Sequence, residues 1–139
     1  MNPENPIVKL CMQGMEHESN GNFETASRLF QSAWEQSTDD FERCIAAHYV
    51  ARHQKSPEEA LMWNQRSIDH ARAVNDEEIG GFFPSLFLNM GKAYQDLAKR
   101  EEARRFYAMT VDVLSSLPDN EYGRNVRSAV ERALERVCS

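Results

Sequence analysis

The chain has 139 residues and carries 16 Lys and Arg against 22 Asp and Glu, a net charge of −6, which argues against nucleic acid as a partner. Hydrophobic residues make up 41% of the sequence, an ordinary share for a single globular domain over residues 1–139. Since no window approaches the roughly 20 consecutive apolar residues that a membrane-spanning helix requires, we do not expect a membrane protein.

The first predicted helical hairpin covers residues 7–38 and consists of two runs with helical period. The residues expected to pack between its two helices are Leu10, Gly14, Ala26, Phe30 and Ala33. Between the runs, Gly21 suits the left-handed backbone that ends a helix. Asn22 follows and is placed to accept a hydrogen bond from the first free amides of the second helix.

A second copy covers residues 39–74 and is anchored by Ala60. Its glycine position, twelve residues before that alanine as in the first copy, is occupied by His48, and its aromatic position by Asn64. The start of its second helix is well marked, because Ser56 and the proline after it supply a cap and a first-turn residue. The helical pattern therefore survives although the packing residues differ.

The third copy covers residues 77–117 and repeats the glycine-to-alanine spacing of twelve residues. Its packing residues are Phe87, Met90, Gly91, Tyr94, Ala103 and Tyr107. Nine additional residues separate it from the second copy, and two starts are open. Either an elongated first helix begins near Glu77, or an irregular loop precedes a helix that opens at Pro84.

Residues 119–137 predict one further helix with an apolar and a charged side. Its apolar stripe consists of Tyr122, Val126, Ala129, Val130, Ala133, Leu134 and Val137. Stacked repeats leave an apolar face open at the end, and a helix of this kind is the usual closure. We interpret it as a C-terminal capping helix.

The three hairpins resemble the tetratricopeptide repeat, a two-helix unit in which a large residue, a glycine, a tyrosine, an alanine and an aromatic residue recur at fixed offsets. The third copy matches this pattern best. The resemblance implies an all-α fold, a right-handed superhelix of three hairpins plus the C-terminal capping helix, with seven helices in all. It says little about function, because this fold serves many partners.

The resemblance also implies a concave groove, lined by the first helix of each hairpin, in which a protein or peptide segment would bind. The groove positions carried over from the family are Cys11, Met15 and Glu18, then Ile45, Tyr49 and Arg52, then Leu88, Lys92 and Gln95. A segment with a hydrophobic anchor and an acidic group would complement Tyr49, Arg52 and Lys92. Alternatively, these residues are simply exposed or cover a neighbouring subunit.

The sequence contains no pattern that predicts catalysis or a cofactor, so we expect a non-catalytic scaffold. Cys44 and His48 lie four residues apart on one helix and could together hold a metal, with His53 as a third donor roughly 140° around the helix from His48. Two ligands do not complete a metal site, and we expect Cys44 and His48 in the core. The other cysteines are Cys11 and Cys138. None has CxxC spacing, which favours reduced thiols and a cytoplasmic protein.

Phe82 and Phe83 lie in the insertion before the third copy, outside the clear helical pattern. Two roles are open for them: packing beneath the insertion, or forming an apolar patch for a partner. The second role leads to an alternative function, that of a structural homodimer that assembles through Phe82 and Phe83 or through the groove.

Overall fold

The computed structural model describes residues 2–74, 77–114 and 119–138, without the side chains of residues 77, 78 and 138. All regular structure in these ranges is helical, as the sequence predicts. The chain divides into two compact units, Met1–Asn75 and Asp76–Ser139. The predicted boundary between the second and third copies falls at the same place.

The first unit contains two helical hairpins. The first pairs α1 (Pro6–Ser19) with α2 (Phe23–Gln36), and the second pairs α3 (Asp40–Val50) with α4 (Pro57–Ala73). A 3₁₀ turn over Ala51–His53 follows α3, so Arg52 lies on this turn and not on the α-helix expected for it. The predicted start of α4 is confirmed, because the Ser56 hydroxyl accepts a hydrogen bond from the Glu59 amide.

The second unit contains the third hairpin and the last helix. A short helix, α5 (Glu77–Gly80), precedes α6 (Phe83–Asp96), α7 (Arg100–Val113) and α8 (Glu121–Cys138). The start of the third hairpin therefore combines the two predicted alternatives, because helical structure begins at Glu77 but the long helix opens one residue before Pro84. The expected end of the hairpin, residues 115–117, lies outside the described residues.

The predicted glycine contact is present in the first and third hairpins. A Cβ atom at Gly14 would lie 2.3 Å from the Phe30 ring, and one at Gly91 would lie 2.4 Å from the Tyr107 ring. Real atoms do not approach so closely, so each ring occupies space that only a glycine leaves open. Both rings are fully buried, and each contact sets how closely its two helices pack.

The second hairpin is held by a different contact, one turn away from the place of the glycine contact in the other two. The Ser67 hydroxyl donates a hydrogen bond of 2.8 Å to the Cys44 carbonyl oxygen, and both residues are fully buried. In an antiparallel pair of helices, moving one turn along from this contact places His48 of α3 opposite Asn64 of α4. A large His48 on α3 thus corresponds to a small Asn64 on α4, the reverse of the sizes in the first hairpin.

The starts of α1 and α3 are joined through the Glu42 side chain. The Asn5 side chain caps α1 by accepting from the Ile7 and Val8 amides, and its own amide donates to the Glu42 carboxylate at 2.9 Å. The Thr38 amide donates to the other Glu42 oxygen, also at 2.9 Å. Burial raises the pKa of Glu42, but these hydrogen bonds and nearby Arg43 outweigh it and lower the pKa below its ordinary value.

Helix α8 packs its apolar stripe inside the second unit. Val130, Ala133 and Val137 form one buried cluster with Ala103 and Tyr107 of α7. Tyr122, the first residue of the predicted stripe, is 41% exposed instead. Its hydroxyl contacts Ser85 and the Gly81 carbonyl oxygen, so it holds the segment that precedes α6.

The turns inside the first and third hairpins have the same geometry with different residues. Gly21 has φ +81° and Ala98 has φ 60°, and each lies seven residues after its packing glycine. Amides in each turn bond back to the carbonyls of the preceding helix, from Asn22 to His17 and from Lys99 to Tyr94. Asn22 differs from expectation, because its side chain makes no capping hydrogen bond to α2.

We predict that Gly14→Ala lowers the free energy of unfolding by about 1 to 2 kcal/mol. The overpacking of the Phe30 ring outweighs the gain of about 1 kcal/mol that alanine has over glycine inside a helix. Urea denaturation measures the change. Gly80→Ala is the control, because a Cβ there meets nothing within 4 Å. Equal effects of the two substitutions would contradict the contact.

We predict opposite effects at the two hairpin turns. Ala98→Gly should raise the free energy of unfolding by about 0.5 to 1 kcal/mol, because glycine adopts the left-handed backbone without strain. This gain exceeds the cost of the greater conformational entropy that glycine gives the unfolded chain. Gly21→Ala should lower the free energy of unfolding by about 1 kcal/mol for the same reason. A Cβ at Gly21 meets nothing within 4 Å, so a loss there reports backbone conformation alone. Changes of the same sign would contradict this prediction.

Candidate functional site

The nine predicted groove residues divide between the two units. Six belong to the first unit, and Leu88, Lys92 and Gln95 belong to the second. Within the first unit, three of the six come together with His53 at the ends of α1 and α3. We call these four residues the Glu18 cluster: Glu18, Tyr49, Arg52 and His53.

The Glu18 carboxylate is the centre of this cluster. One of its oxygens lies 2.8 Å from Arg52 Nη2, and the other lies 2.7 Å from His53 Nε2. The Glu18 and His53 side chains are each only 16% exposed, so their contact is largely shielded from water. Each carboxylate oxygen is therefore bound by another side chain of the protein, and Glu18 positions Arg52 and His53.

Stacked rings support the cluster from the core side. The Phe30 ring stacks on Tyr49 with centroids 5.2 Å apart and on His53 with centroids 5.6 Å apart. The Arg52 guanidinium lies 5.6 Å from the centre of the Tyr49 ring, within cation–π range. Because Phe30 is the residue that packs against Gly14, the hairpin contact also fixes the rings of the cluster.

Two groups at the edge of the cluster are accessible to a partner. The Arg52 side chain is 43% exposed, and Phe23 is 57% exposed although it is a large apolar residue. The Phe23 ring lies 6.2 Å from the His53 ring, centroid to centroid. An apolar surface and a cation thus flank the same pair of side chains, Phe23 beside His53 and Arg52 beside Glu18.

The predicted groove residues of the first unit other than Arg52 are less accessible. Cys11 and Ile45 are 1% exposed and Tyr49 is 7% exposed, whereas Met15 is half-buried. The helical phase used to assign them gives one face of a helix, but it does not report what packs on that face. Tyr49 contributes to the cluster by stacking on Phe30 and by its contact with the Arg52 guanidinium.

In the second unit, Lys92 is exposed, and Leu88 is half-buried against the cluster of α7 and α8. Gln95 has an internal role, because its Oε1 accepts a hydrogen bond of 2.6 Å from the Tyr107 hydroxyl. Lys92 is therefore the most accessible of the three.

Phe82 and Phe83 are both half-buried. The Phe83 ring packs on Phe87, with centroids 5.5 Å apart. Phe83 and Phe87 both belong to α6, so this contact lies within one helix, and packing of Phe83 beneath the insertion stays a prediction. Assembly of two copies through this segment stays a prediction.

Cys44 and His48, the weak metal candidate, are both buried. Among the residues that the structure describes, no group of three or more His, Cys, Asp or Glu side chains is arranged to hold a metal ion. Cys11 and Cys44 are free thiols, and burial raises the pKa of Cys11 to about 12 and that of Cys44 to about 11. Neither is activated as a nucleophile at neutral pH.

Sequence reasoning considered His53 only as a third metal donor, and it missed Phe23 and a second aromatic cluster of the first unit. In the latter, Trp34 meets Trp63 edge to face at 4.9 Å, and the Arg66 guanidinium lies 4.5 Å from the centre of the Trp63 ring. The spacing of a single helix does not reveal the Phe23–His53 and Trp34–Trp63 contacts, because each joins side chains from two elements, whereas Arg66 and Trp63 lie on the same helix, α4. The available signal was the placement of Phe23 directly after a predicted turn.

No protein-family model and no curated protein sequence matches this chain. Within the ranges described, the longest helices also fall short of the apolar character needed to span a bilayer. Assignment of function therefore depends on the geometry of the residues themselves.

Stability should depend on pH through His48. Burial, with a smaller effect of nearby Arg52, lowers the pKa of this imidazole from 6.5 to about 4. Between pH 4 and pH 6.5 the unfolded chain binds a proton that the folded chain does not. The contribution of the neutral imidazole to the free energy of unfolding is therefore complete above pH 6.5 and is lost as the pH falls. The loss by pH 4 should be at most roughly 3 kcal/mol.

The measurement is urea denaturation of wild type and His48→Gln from pH 7.5 down to 4.5. The variant keeps the other three histidines, so their contributions cancel when the two curves are subtracted. We expect the wild type to lose stability relative to the variant across this range. A difference that is constant with pH would contradict a neutral, buried His48.

Proposed function

We propose that this chain is a non-catalytic protein-binding module made of tetratricopeptide-like hairpins, and that it binds a protein segment at the Glu18 cluster. The observation that carries the proposal is that exposed Phe23 lies beside His53 and half-exposed Arg52 beside Glu18, the two partners of one shielded contact. Aromatic residues and arginines are the side chains most enriched at the energetic centres of protein interfaces.

The repeat assignment is supported by features shared between the hairpins. The glycine-to-ring contact and the left-handed turn recur in the first and third copies at the same sequence offsets. A chance pair of antiparallel helices would have no reason to repeat both. The superhelical arrangement of the repeats is part of the proposal.

The framework around Phe23 and Arg52 favours binding without rearrangement. His53 is fixed by Glu18 on its edge and by Phe30 on its face, and Glu18 also holds Arg52. Side chains that are already ordered lose little conformational entropy when a partner binds. The site is thus suited to a short segment, which must itself become ordered.

The chemistry of the two accessible groups defines the segment. Phe23 offers apolar area to a hydrophobic side chain, and Arg52 has N–H donors beyond those that contact Glu18. A carboxylate is the complementary group, since arginine binds it with charge-assisted hydrogen bonds. We therefore infer a segment with an Asp or Glu close to an apolar residue.

The test is selection of linear peptides from a random displayed library against the whole chain, followed by fluorescence anisotropy of the recovered peptides. We expect an acidic residue near an apolar one to be enriched. Phe23→Ser and Arg52→Ala should each weaken binding roughly ten-fold, and Asp→Asn or Glu→Gln in the peptide should match the loss in Arg52→Ala.

Matched controls are available elsewhere in the first unit. Met62→Ser removes another exposed apolar side chain, and Arg72→Ala removes another exposed cation. Both should change affinity by less than about two-fold, since neither belongs to the cluster. Peptides that bind all four variants equally, or lose binding only in the controls, would place the site elsewhere.

A further inference from the structure

The Glu18 cluster contains a side chain of the type that changes charge near neutral pH, His53. Histidine is the residue that ordinarily gains a proton between pH 8 and pH 5. His53 Nε2 lies 2.7 Å from a Glu18 oxygen, and a carboxylate only accepts hydrogen bonds, so Nε2 carries the hydrogen in the neutral ring. The other ring nitrogen, Nδ1, is therefore the atom that takes up a proton as the pH falls.

The Glu18 carboxylate is shared between two partners, and this sharing connects His53 to Arg52. One oxygen lies 2.8 Å from Arg52 Nη2 and the other lies 2.7 Å from His53 Nε2. While the imidazole is neutral, Glu18 and Arg52 balance each other's charge. A proton on His53 places a second cation on the same carboxylate, and the three groups together then carry one net positive charge.

The other groups around His53 are mostly uncharged rings. From α2, Phe30 stacks on the imidazole with centroids 5.6 Å apart, within the distance of about 6 Å at which an aromatic face attracts a cation. Phe23 lies at 6.2 Å, and the Tyr49 ring lies beside Arg52. Helix α4 also packs on the turn that carries His53, and the charged side chains of its first turn are exposed to solvent: Glu58 and Glu59. The protonated ring therefore fits the contacts that hold the neutral one.

The other three histidines of the chain provide controls. His48 stays neutral between pH 8 and pH 5.5, because burial lowers its pKa to about 4. His17 is half-buried and lies 3.5 Å from the Asn22 side chain, and His70 pairs with Asp40 in the second hairpin at 2.7 Å. Neither His17 nor His70 belongs to the Glu18 cluster.

We propose that pH regulates binding at the Glu18 cluster, and that protonation of His53 strengthens the hold of Arg52 on an acidic segment. This inference rests on the function proposed above and adds its regulation. Protonated His53 competes for the Glu18 carboxylate, so less of the Arg52 charge is compensated when the carboxylate of the segment arrives. The bound segment in turn stabilises the protonated form of His53, because coupling between two binding events is reciprocal.

The first experiment uses the whole chain alone. NMR follows the His53 ring and the Arg52 Nε–H resonance from pH 8 to pH 5.5. Both should shift with the same midpoint, since each side chain binds the same Glu18 carboxylate. An Arg52 resonance that does not follow the His53 ring would overturn the proposal, whether or not a segment binds.

The second experiment measures fluorescence anisotropy of a labelled, end-blocked peptide, Gly-Leu-Glu-Leu-Gly, at pH 8 and pH 5.5 in low salt. The glutamate stays ionised over this range. Wild type should bind roughly three-fold more tightly at pH 5.5, because one positive charge is added beside a partly exposed site. His53→Gln should remove this response, and so should a glutamine in place of the peptide glutamate. His17→Gln and His70→Gln should keep it.

The outcomes separate this regulation from the function on which it rests. Peptide binding that Phe23→Ser and Arg52→Ala leave unchanged contradicts the proposed site. Binding that both variants weaken, with the same pH response in wild type and His53→Gln, contradicts the regulation alone. Loss of the response in His17→Gln or His70→Gln would assign it to another histidine. If His53→Gln does not fold, or the peptide does not bind, the NMR titration of the wild type still decides.

Discussion

The first unit depends on the Phe30 ring lying in the space where Gly14 has no side chain. A Cβ at that glycine would be 2.3 Å from the ring, so the closeness of α1 and α2 is possible only with this pair. The same ring stacks on Tyr49 and His53, which contact Arg52 and Glu18. Hairpin packing and the candidate site therefore share one residue, and a change in the core contact would move the site.

The equivalent position in the second unit uses its aromatic ring differently. The Tyr107 ring fills the space at Gly91, but its hydroxyl reaches Gln95 and Arg136 and so extends a core contact into a polar one. The second hairpin reverses the sizes, with His48 on the first helix and Asn64 on the second, and Asn64 Oδ1 is buried without a hydrogen-bond partner among the described residues. A buried polar atom without a partner costs stability in this hairpin.

The sequence predicted the long helices, the glycine contacts, the turn at Gly21 and the cap at Ser56, because these depend on local spacing and on neighbours within one hairpin. It did not predict the 3₁₀ turn that carries Arg52 and His53, which tightens the end of α3. Nor did it predict that Cys11 and Ile45 would be buried. Burial of a helix face depends on whatever packs against it, and helical period is the same whether the face is covered or open.

The Glu18 cluster combines a compensated charge with an apolar surface. Arg52 is already paired with a carboxylate and is partly in water, so a second carboxylate is selected through the hydrogen bonds of the guanidinium as well as through its charge. Apolar contact with Phe23 must then supply much of the remaining selectivity. Added salt should accordingly weaken such a segment only in part, because it screens the charged contact and leaves the apolar one.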